Sequence, residues 1–196
     1  QWVYGAVRQL LTTQHTFELL TDTDVPDEWK KENVNVSLLR SGPCWHMRAL
    51  LLLQKMKPDW YLSPTSFIVP SFLRKYVRTA IVIHDLIAFR HEPHNRRATI
   101  LERLFLRRAC ARSDHIFCIS NATCHDLLRQ FPMLDTAKLS TVYAGPSHAV
   151  FPPHEPDAST ILSIGTLCPR KNQYALIEAY SLLPDTIRQR YRLVLI

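Results

Sequence analysis

Apolar, β-rich runs alternate with helical segments along almost the whole of this 196-residue chain. Parallel neighbouring strands need a long crossover between them, and a helix is its usual form. The alternation therefore predicts an α/β fold with a parallel sheet and helices on both faces. The predicted strands are residues 16–20 and 60–63, three runs centred on Ile81, Ile116 and Thr141, one from about Thr160, and residues 191–196. The predicted helices are residues 2–13, 45–57, 96–112 and 122–131, and residues 64–72 are predicted to be an irregular loop.

A proline-rich segment divides this pattern into two parts. Residues 146–156 hold four of the 13 prolines of the chain, a density typical of a linker. We therefore predict a first domain over residues 1–145, a linker over 146–158 and a second domain that begins at 159 and runs to 196.

Residues 163–173, Ser-Ile-Gly-Thr-Leu-Cys-Pro-Arg-Lys-Asn-Gln, follow the first strand of the second domain. A strand that ends on a glycine turn and leads into a helix with adjacent cations in its first turn can neutralise a diphosphate without a metal. The other interpretation of these residues by themselves is an ordinary strand-to-helix loop with solvated charges. Arg170 and Lys171 are the cations in question.

Polar residues also follow the predicted strands of the first domain. His84 and Asp85 end the run that begins at Thr79, and Ser120 or Asn121 is placed to cap the helix after the Ile116 strand. In open parallel sheets, ligands bind beyond the carboxyl ends of the strands. We therefore expect this region and residues 163–173 to form opposite walls of one cleft.

Taken in order, these motifs resemble the family 4 glycosyltransferases, which are retaining nucleotide-sugar enzymes of GT-B architecture. Residues 83–86, 113–123, 143–145 and, most specifically, 165–172 carry the resemblance, which extends from about Trp60 onward. The motif Pro-Arg-Lys-Asn most resembles that of the bacterial mannosyltransferase-like group, which builds surface polysaccharide. The resemblance implies a nearly complete acceptor-side Rossmann-like domain with a truncated start, followed by the first βαβ unit of a truncated donor-binding domain.

The resemblance assigns the donor site to the second domain. Arg170 and Lys171 correspond to the cationic pair that holds the donor diphosphate and stabilises the departing nucleotide, beside Gly165 and Thr166. Many relatives have an arginine directly after the strand-end glycine, where this chain has Thr166.

In the first domain, His84 matches the histidine placed near the transferred sugar, so His84 and Asp85 are the expected catalytic residues. Asp85 would either orient His84 or cap the loop that follows. Ser120 and Gly145 would line the cleft, with Gly145 allowing close approach of the backbone. The aspartate that often follows this glycine is absent, and Ser147 stands there instead.

The resemblance further implies a metal-independent hexosyltransferase that moves a sugar, with mannose as a candidate, from a nucleotide-sugar donor to a glycan or lipid-linked acceptor. Transfer would retain the anomeric configuration and would belong to polysaccharide or lipopolysaccharide biosynthesis. We expect a cytoplasmic protein that needs no cofactor besides its donor substrate, no metal and no nucleic acid, and that touches the inner face of the membrane through residues 74–112. We expect this chain to be an internal fragment that is inactive alone.

The positive charge of the chain, +7 in total, is concentrated in residues 74–112. Ten of these residues are Arg or Lys and three are acidic, a surplus that equals the net charge of the whole chain. Such a patch attracts anionic lipid head groups, nucleic acid or phosphorylated substrates. A non-catalytic basic module that binds anionic lipid or polymer is therefore the alternative function, and it would make Lys171 irrelevant.

The helix at the centre of this patch bears on contact with a membrane. Ile100, Leu101, Leu104 and Phe105 recur at helical spacing, but Arg108 lies on the same stripe. We therefore favour a core-facing helix with snorkelling arginines over a helix that lies on the membrane surface.

A second motif points to a different class of glycosyltransferase. Asp22 and Asp24 form an Asp-x-Asp pair after the first strand, and such a pair holds a divalent cation in metal-dependent enzymes of GT-A architecture. The residues that follow are typical of a solvated turn, and Arg170 with Lys171 already supplies positive charge for a diphosphate. We therefore interpret the pair as a surface loop.

Overall fold

The computed structural model describes residues 2–90, 96–143, 145 and 158–196, with side chains from residue 5 onward. The chain divides into two compact units, one that holds the described residues up to Gly145 and one that holds residues 158–196. The predicted linker lies outside the described residues except at its last position. Its boundaries stay a prediction.

Helices and strands alternate through the first unit, and the predicted α/β class is confirmed. The elements are α1 (Trp2–Leu10), β1 (Phe17–Thr21), β2 (Val34–Leu38), α2 (Trp45–Met56), β3 (Trp60–Ser63), α3 (Ile68–Phe72), β4 (Arg78–Ile83), α4 (Arg96–Arg112), β5 (His115–Cys118), α5 (Asn121–Gln130) and β6 (Leu139–Thr141).

Every strand pair of the described residues is parallel. The central sheet of the first unit has four strands in the order β3-β4-β5-β6, while β1 and β2 pair with each other as a separate two-stranded sheet. The six strands of this unit therefore do not form the single sheet that the alternation predicts.

The main core lies on one face of β4 and β5. Ile81 is in register with Ile116, and Ile83 is in register with Cys118, so these four side chains share a face. They pack against Leu106, Ala109 and Cys110 of α4 and Leu127 of α5. Val82, on the opposite face of β4, is also fully buried, as is typical of a central parallel strand.

A second core cluster joins helices α2 and α3 and contradicts the loop predicted for residues 64–72. Ala49 and Leu53 of α2 pack against Val69 of α3 and against Leu73. Residues 68–72 are helical despite Pro70. Backbone N–H groups in the first turn of a helix have no acceptor within the helix, so a proline there removes no hydrogen bond.

Strand β2 is an element that the sequence interpretation missed. Its apolar residues Val34, Val36 and Leu38 alternate with Asn35 and Ser37, which is the period of a strand. Only Val34 is buried, so the segment contributes little to the core and its apolar signal is weak.

Helix α4 has the predicted limits, but the stripe taken as its core face is wrong. Leu106 faces the core, while Ile100, Leu101 and Leu104 are 57%, 44% and 64% exposed. Both stripes recur at helical spacing, and only packing against the sheet decides which one is covered.

The second unit is a βαβ arrangement, as predicted. Its elements are β7 (Thr160–Ser163), α6 (Gln173–Ser181), α7 (Asp185–Arg190) and β8 (Arg192–Leu195). Strands β7 and β8 pair in parallel, with Ile161 opposite Leu193. Among residues 158–196, no hydrophobic side chain is buried.

None of the helices formed by the described residues combines the length and the apolar character needed to cross a bilayer.

Candidate functional site

The carboxyl ends of three neighbouring strands bring predicted residues together. Pro64 follows β3, His84 follows β4, and Ser120 comes two residues after the end of β5. Because these strands are adjacent and parallel, their carboxyl ends lie at one edge of the sheet. This carboxyl edge is the position at which open parallel sheets bind ligands.

The imidazole of His84 is half-buried and is oriented by the backbone. Its Nε2 lies 2.8 Å from the carbonyl oxygen of Pro64. A carbonyl can only accept a hydrogen bond, so Nε2 carries a hydrogen and the tautomer of the neutral ring is set. The strand before His84 and the loop after β3 thus hold this ring in one orientation.

Asp85 performs the second of the two roles considered for it. Its Oδ1 accepts a hydrogen bond of 3.0 Å from the backbone N–H of Ile87, which closes the turn after β4. The carboxylate is exposed and caps the loop. The Nε2 of His84 is oriented by the carbonyl of Pro64.

Ser120 is the N-cap of α5, one of the two predicted caps. Its Oγ accepts a hydrogen bond of 3.1 Å from the backbone N–H of Thr123. The hydroxyl of Thr123 in turn donates to the carbonyl of His84 at 3.3 Å. The start of α5 is therefore tied to the end of β4, and both residues stand at the carboxyl edge.

Glu102 of α4 is a titratable group that sequence reasoning counted only as a charge. Burial first, and then the charge of Asp85, raise the pKa of Glu102 from 4.5 to about 7. A carboxyl group with such a pKa is partly protonated near neutral pH. Its signal in the sequence is one acid within an arginine-rich helix, and that does not reveal its burial.

In the second unit, Gly165 and Lys171 lie together. Gly165 has a φ of +152°, a backbone conformation that favours glycine, and a Cβ at this position would lie 3.8 Å from Cε of Lys171. The aliphatic stem of Lys171 therefore runs over the glycine. The side chain of Lys171 is exposed, as are those of Thr166 and Arg170.

The sequence interpretation placed Arg170 and Lys171 in the first turn of the helix, and this placement is wrong. Pro169–Lys171 is a short 3-10 turn, and α6 begins after it at Gln173. Asn172 separates the two with a left-handed φ of 51°. Proline favours a turn at this point, and asparagine tolerates the left-handed conformation that redirects the chain.

Several backbone donors of this loop are already engaged. The N–H of Gly165 donates to the carbonyl of Ile196 at 2.7 Å, and that of Lys171 donates to Cys168 at 3.0 Å. In the part of the chain that the structure describes, the N–H of Thr166 forms no hydrogen bond. The loop therefore offers an anion the Thr166 amide and the side chain of Lys171.

Gln173 holds this loop and was missed as a structural residue. It is 8% exposed, and its Nε2 donates to the carbonyl of Thr166 at 3.0 Å. A weaker contact of 3.4 Å reaches the carbonyl of Gly165. A glutamine at the start of a helix usually faces solvent, so the sequence carries no signal for this role.

Two other predicted positions are exposed. A Cβ on Gly145 would meet nothing within 4 Å, so the described structure gives no steric reason for glycine there. Asp22 and Asp24 lie in an exposed turn after β1, where the hydroxyl of Thr21 donates to the carbonyl of Thr23. Within the described ranges, no group of three or more His, Cys, Asp or Glu residues could hold a metal ion.

The five cysteines all lie in the described part of the chain, and each is a free thiol. Burial raises the pKa of Cys110 and of Cys118 to about 12. A thiol rather than a thiolate is therefore present at both positions at neutral pH, and neither is suited to nucleophilic chemistry. Cys168, in the loop with the cations, is half-buried.

The family model described as Glycosyltransferase Family 4 matches residues 3–148. This match spans the sheet that carries His84, Asp85 and Ser120. A search of curated proteins found no significant match to this chain.

Proposed function

Because this chain belongs to glycosyltransferase family 4, we propose that it forms part of a retaining, metal-independent hexosyltransferase of GT-B architecture that uses a nucleotide-sugar donor. The acceptor would be a glycan or lipid-linked sugar in polysaccharide or lipopolysaccharide biosynthesis, with mannose as a candidate for the transferred sugar. The observation that carries the proposal is the loop in which Lys171 lies over Gly165.

The donor diphosphate would be bound by the loop between β7 and α6. Lys171 supplies a compact charge on a flexible stem, and Arg170 supplies a guanidinium that can bind phosphate oxygens in a bidentate manner. Thr166 adds a backbone N–H and a hydroxyl. Negative charge grows on the leaving nucleotide as the glycosidic bond breaks, so fixed cations stabilise the transition state more than the bound donor.

The acceptor side would use the carboxyl edge of the central sheet. His84 is held with a hydrogen on Nε2, which suits it to a single defined contact with a sugar. Glu102, whose pKa is raised to about 7, is a further group that can exchange a proton near this edge.

The test is Lys171→Ala in the full-length protein, with Arg192→Ala as the matched control. Arg192 is an exposed cation at the amino end of β8, whereas Lys171 follows the carboxyl end of the parallel strand β7. We expect Lys171→Ala to lower kcat/KM by about 10- to 1,000-fold, mainly through kcat. We expect Arg192→Ala and chelation of divalent metals to change the rate little.

The same experiment distinguishes the proposed enzyme from the metal-dependent class of glycosyltransferase. Full activity of Lys171→Ala, together with loss of activity on chelation or in Asp22→Ala, would overturn the proposal. A panel of nucleotide sugars with different bases and hexoses, measured with the wild-type protein, would identify the donor.

The alternative of a basic module that binds anionic lipid gains one specific observation. Ile100, Leu101 and Leu104 form an exposed apolar stripe on α4, and Arg107 on the same helix is exposed. Exposed apolar residues beside cations are typical of helices that contact an anionic membrane surface. We propose that this stripe, together with the basic residues of 74–112, gives the enzyme a peripheral membrane contact rather than a separate function.

The arginines of α4 are not equivalent probes of this contact. Arg103 donates to the carbonyl of Ala88, and Arg112 donates to that of Leu73, so both also support the fold. The sharper variant is Ile100→Ser with Leu104→Ser, and the control is Leu182→Ser, which changes a residue that is 80% exposed in the second unit.

In flotation assays, we expect the wild type and the control to bind vesicles that contain phosphatidylglycerol, and to bind less as salt is raised. We expect the double variant to lose most of this binding because its apolar contact with the bilayer is removed. Equal binding to neutral vesicles, or full binding by the double variant, would contradict the proposed contact.

A further inference from the structure

A cavity of the first unit lies at the edge of the central sheet opposite to His84. It is lined by Thr79 near the start of β4, by Asp114 just before β5, and by Lys138 just before β6. Since the three strands are parallel, these positions share the amino edge of the sheet. Residues Arg74, Lys75, Thr79, Arg112, Asp114 and Lys138 define this amino-edge pocket.

The amino-edge pocket has a volume of about 450 Å³. Sites for small molecules commonly measure about 300–1,000 Å³. Four of its lining residues are cations and one is an acid, which leaves a formal surplus of three positive charges. The acid, Asp114, is itself engaged, because its Oδ2 accepts the backbone N–H of Thr79 at 2.8 Å. The chemistry of the lining therefore favours an anion.

Two of these cations are held in place by the backbone. Lys138 donates through Nζ to the carbonyl of Ser113 at 3.2 Å, and Arg112 donates through one terminal nitrogen to the carbonyl of Leu73. Both contacts lie at the carboxyl end of α4 or close to it, where cations offset the partial negative charge of the helix.

Neutralising the helix end does not account for the whole lining. Arg74 and Lys75 are exposed and form no salt bridge with the described part of the chain. The charges of these two residues are therefore available to a ligand in the pocket.

We propose that the amino-edge pocket binds a phosphate group, carried either by a soluble molecule or by a lipid headgroup. The phosphate oxygens would accept hydrogen bonds from Arg74 and Lys75, and the charges of Arg112 and Lys138 would add to the attraction. This ligand is separate from the donor diphosphate, since the pocket lies at the opposite edge of the sheet from His84 and contains no residue of the loop between β7 and α6.

The test is titration of the ¹⁵N-labelled chain with inorganic pyrophosphate, observed by NMR. We expect the backbone signals of Thr79, Asp114 and Lys138 to shift. The variant Arg74→Gln with Lys75→Gln removes two exposed cations, so it leaves the fold intact, and we expect it to weaken binding at least about fivefold. The control, Lys55→Gln with Arg107→Gln, removes two exposed cations outside the pocket, and we expect less than a twofold change.

A second arm identifies the source of the phosphate. Vesicles of phosphatidylcholine with and without phosphatidic acid are mixed with the wild-type chain, and bound protein is competed with pyrophosphate. Competable binding to the acidic vesicles supports the pocket and points to a lipid headgroup. Pyrophosphate binding without vesicle binding supports the pocket and points to a soluble phosphate compound.

The proposal is overturned if millimolar pyrophosphate leaves the three signals unchanged, or if the control variant weakens binding as much as the pocket variant. No glycosyl transfer is measured in either arm. Failure of this proposal is therefore distinguishable from failure of the proposed enzymatic function.

Discussion

At the carboxyl edge of the central sheet, several polar side chains form hydrogen bonds with backbone atoms and are also at least partly exposed to solvent. His84 is bonded to Pro64, Asp85 to the N–H of Ile87, and Ser120 to the N–H of Thr123. Each such hydrogen bond contributes about 0.5–1.5 kcal/mol to stability. Replacing any of the three would change the fold and the site together, so Glu102 is a more selective probe of this edge.

The stability of the first unit is expected to depend on the protonation of Glu102. Its folded-state pKa of about 7 lies above the ordinary value of 4.5, so the folded chain binds a proton that the unfolded chain has released. Stability linked to this group is present below pH 4.5 and is lost as the pH rises through 7.

The measurement is urea denaturation of the wild type and of Glu102→Gln between pH 4.5 and pH 8. We expect the free energy of unfolding of the wild type to fall with rising pH relative to that of the variant, which has no carboxyl group to ionise. Parallel pH profiles for the two proteins would show that Glu102 titrates normally.

At the scale of elements, α4 links the sheet to α3 through its arginines. Arg108 donates to the carbonyl of Ser71 at 2.7 Å, and its guanidinium carbon lies 5.2 Å from the centre of the Phe72 ring. The rings of Phe72 and Phe105 also meet edge to face, with centroids 5.6 Å apart. The basic character of α4 is therefore partly structural, because these contacts satisfy carbonyls at the end of α3.

Neighbouring arginines of α4 should differ in their effect on stability. We expect Arg108→Gln to lower the free energy of unfolding by about 1–2 kcal/mol, since a charged hydrogen bond and a contact with an aromatic ring are lost. We expect Arg107→Gln, which changes an exposed residue, to have an effect within about 0.5 kcal/mol. Chemical denaturation of the two variants measures both values, and equal effects would contradict the structural role of Arg108.

At the scale of the whole molecule, the two units differ in the amount of apolar surface that they bury. The first contains the clusters around Ile81 and Leu53. The second has parallel strands and helices but buries no hydrophobic side chain among residues 158–196. Burial of apolar surface is the dominant stabilising term in folding, so the units have very different sources of stability.

Hydrogen exchange followed by mass spectrometry should reveal this difference. We expect peptides from β4 and β5 to exchange at least about 100-fold more slowly than peptides from β7 and β8, because strands in a core open only with the whole unit. Similar protection in both units would show that residues 158–196 are stabilised by something other than their own core.

Local patterns in the chain were enough to predict the α/β class, most strands, the limits of α4 and the Ser120 cap. These features depend on the periodicity of apolar residues and on capping chemistry, which neighbouring residues set. The family was indicated in the same way, by motifs such as residues 83–86 and 165–172.

Tertiary structure decided which of two helical stripes on α4 is buried, that residues 68–72 form a helix, and that β1 and β2 pair apart from the central sheet. It also decided that Glu102 is desolvated and that Gln173 supports the loop of Lys171. Each of these outcomes depends on contacts between residues that are distant in the chain or on the fold of a loop. Local pattern carries no information about such contacts.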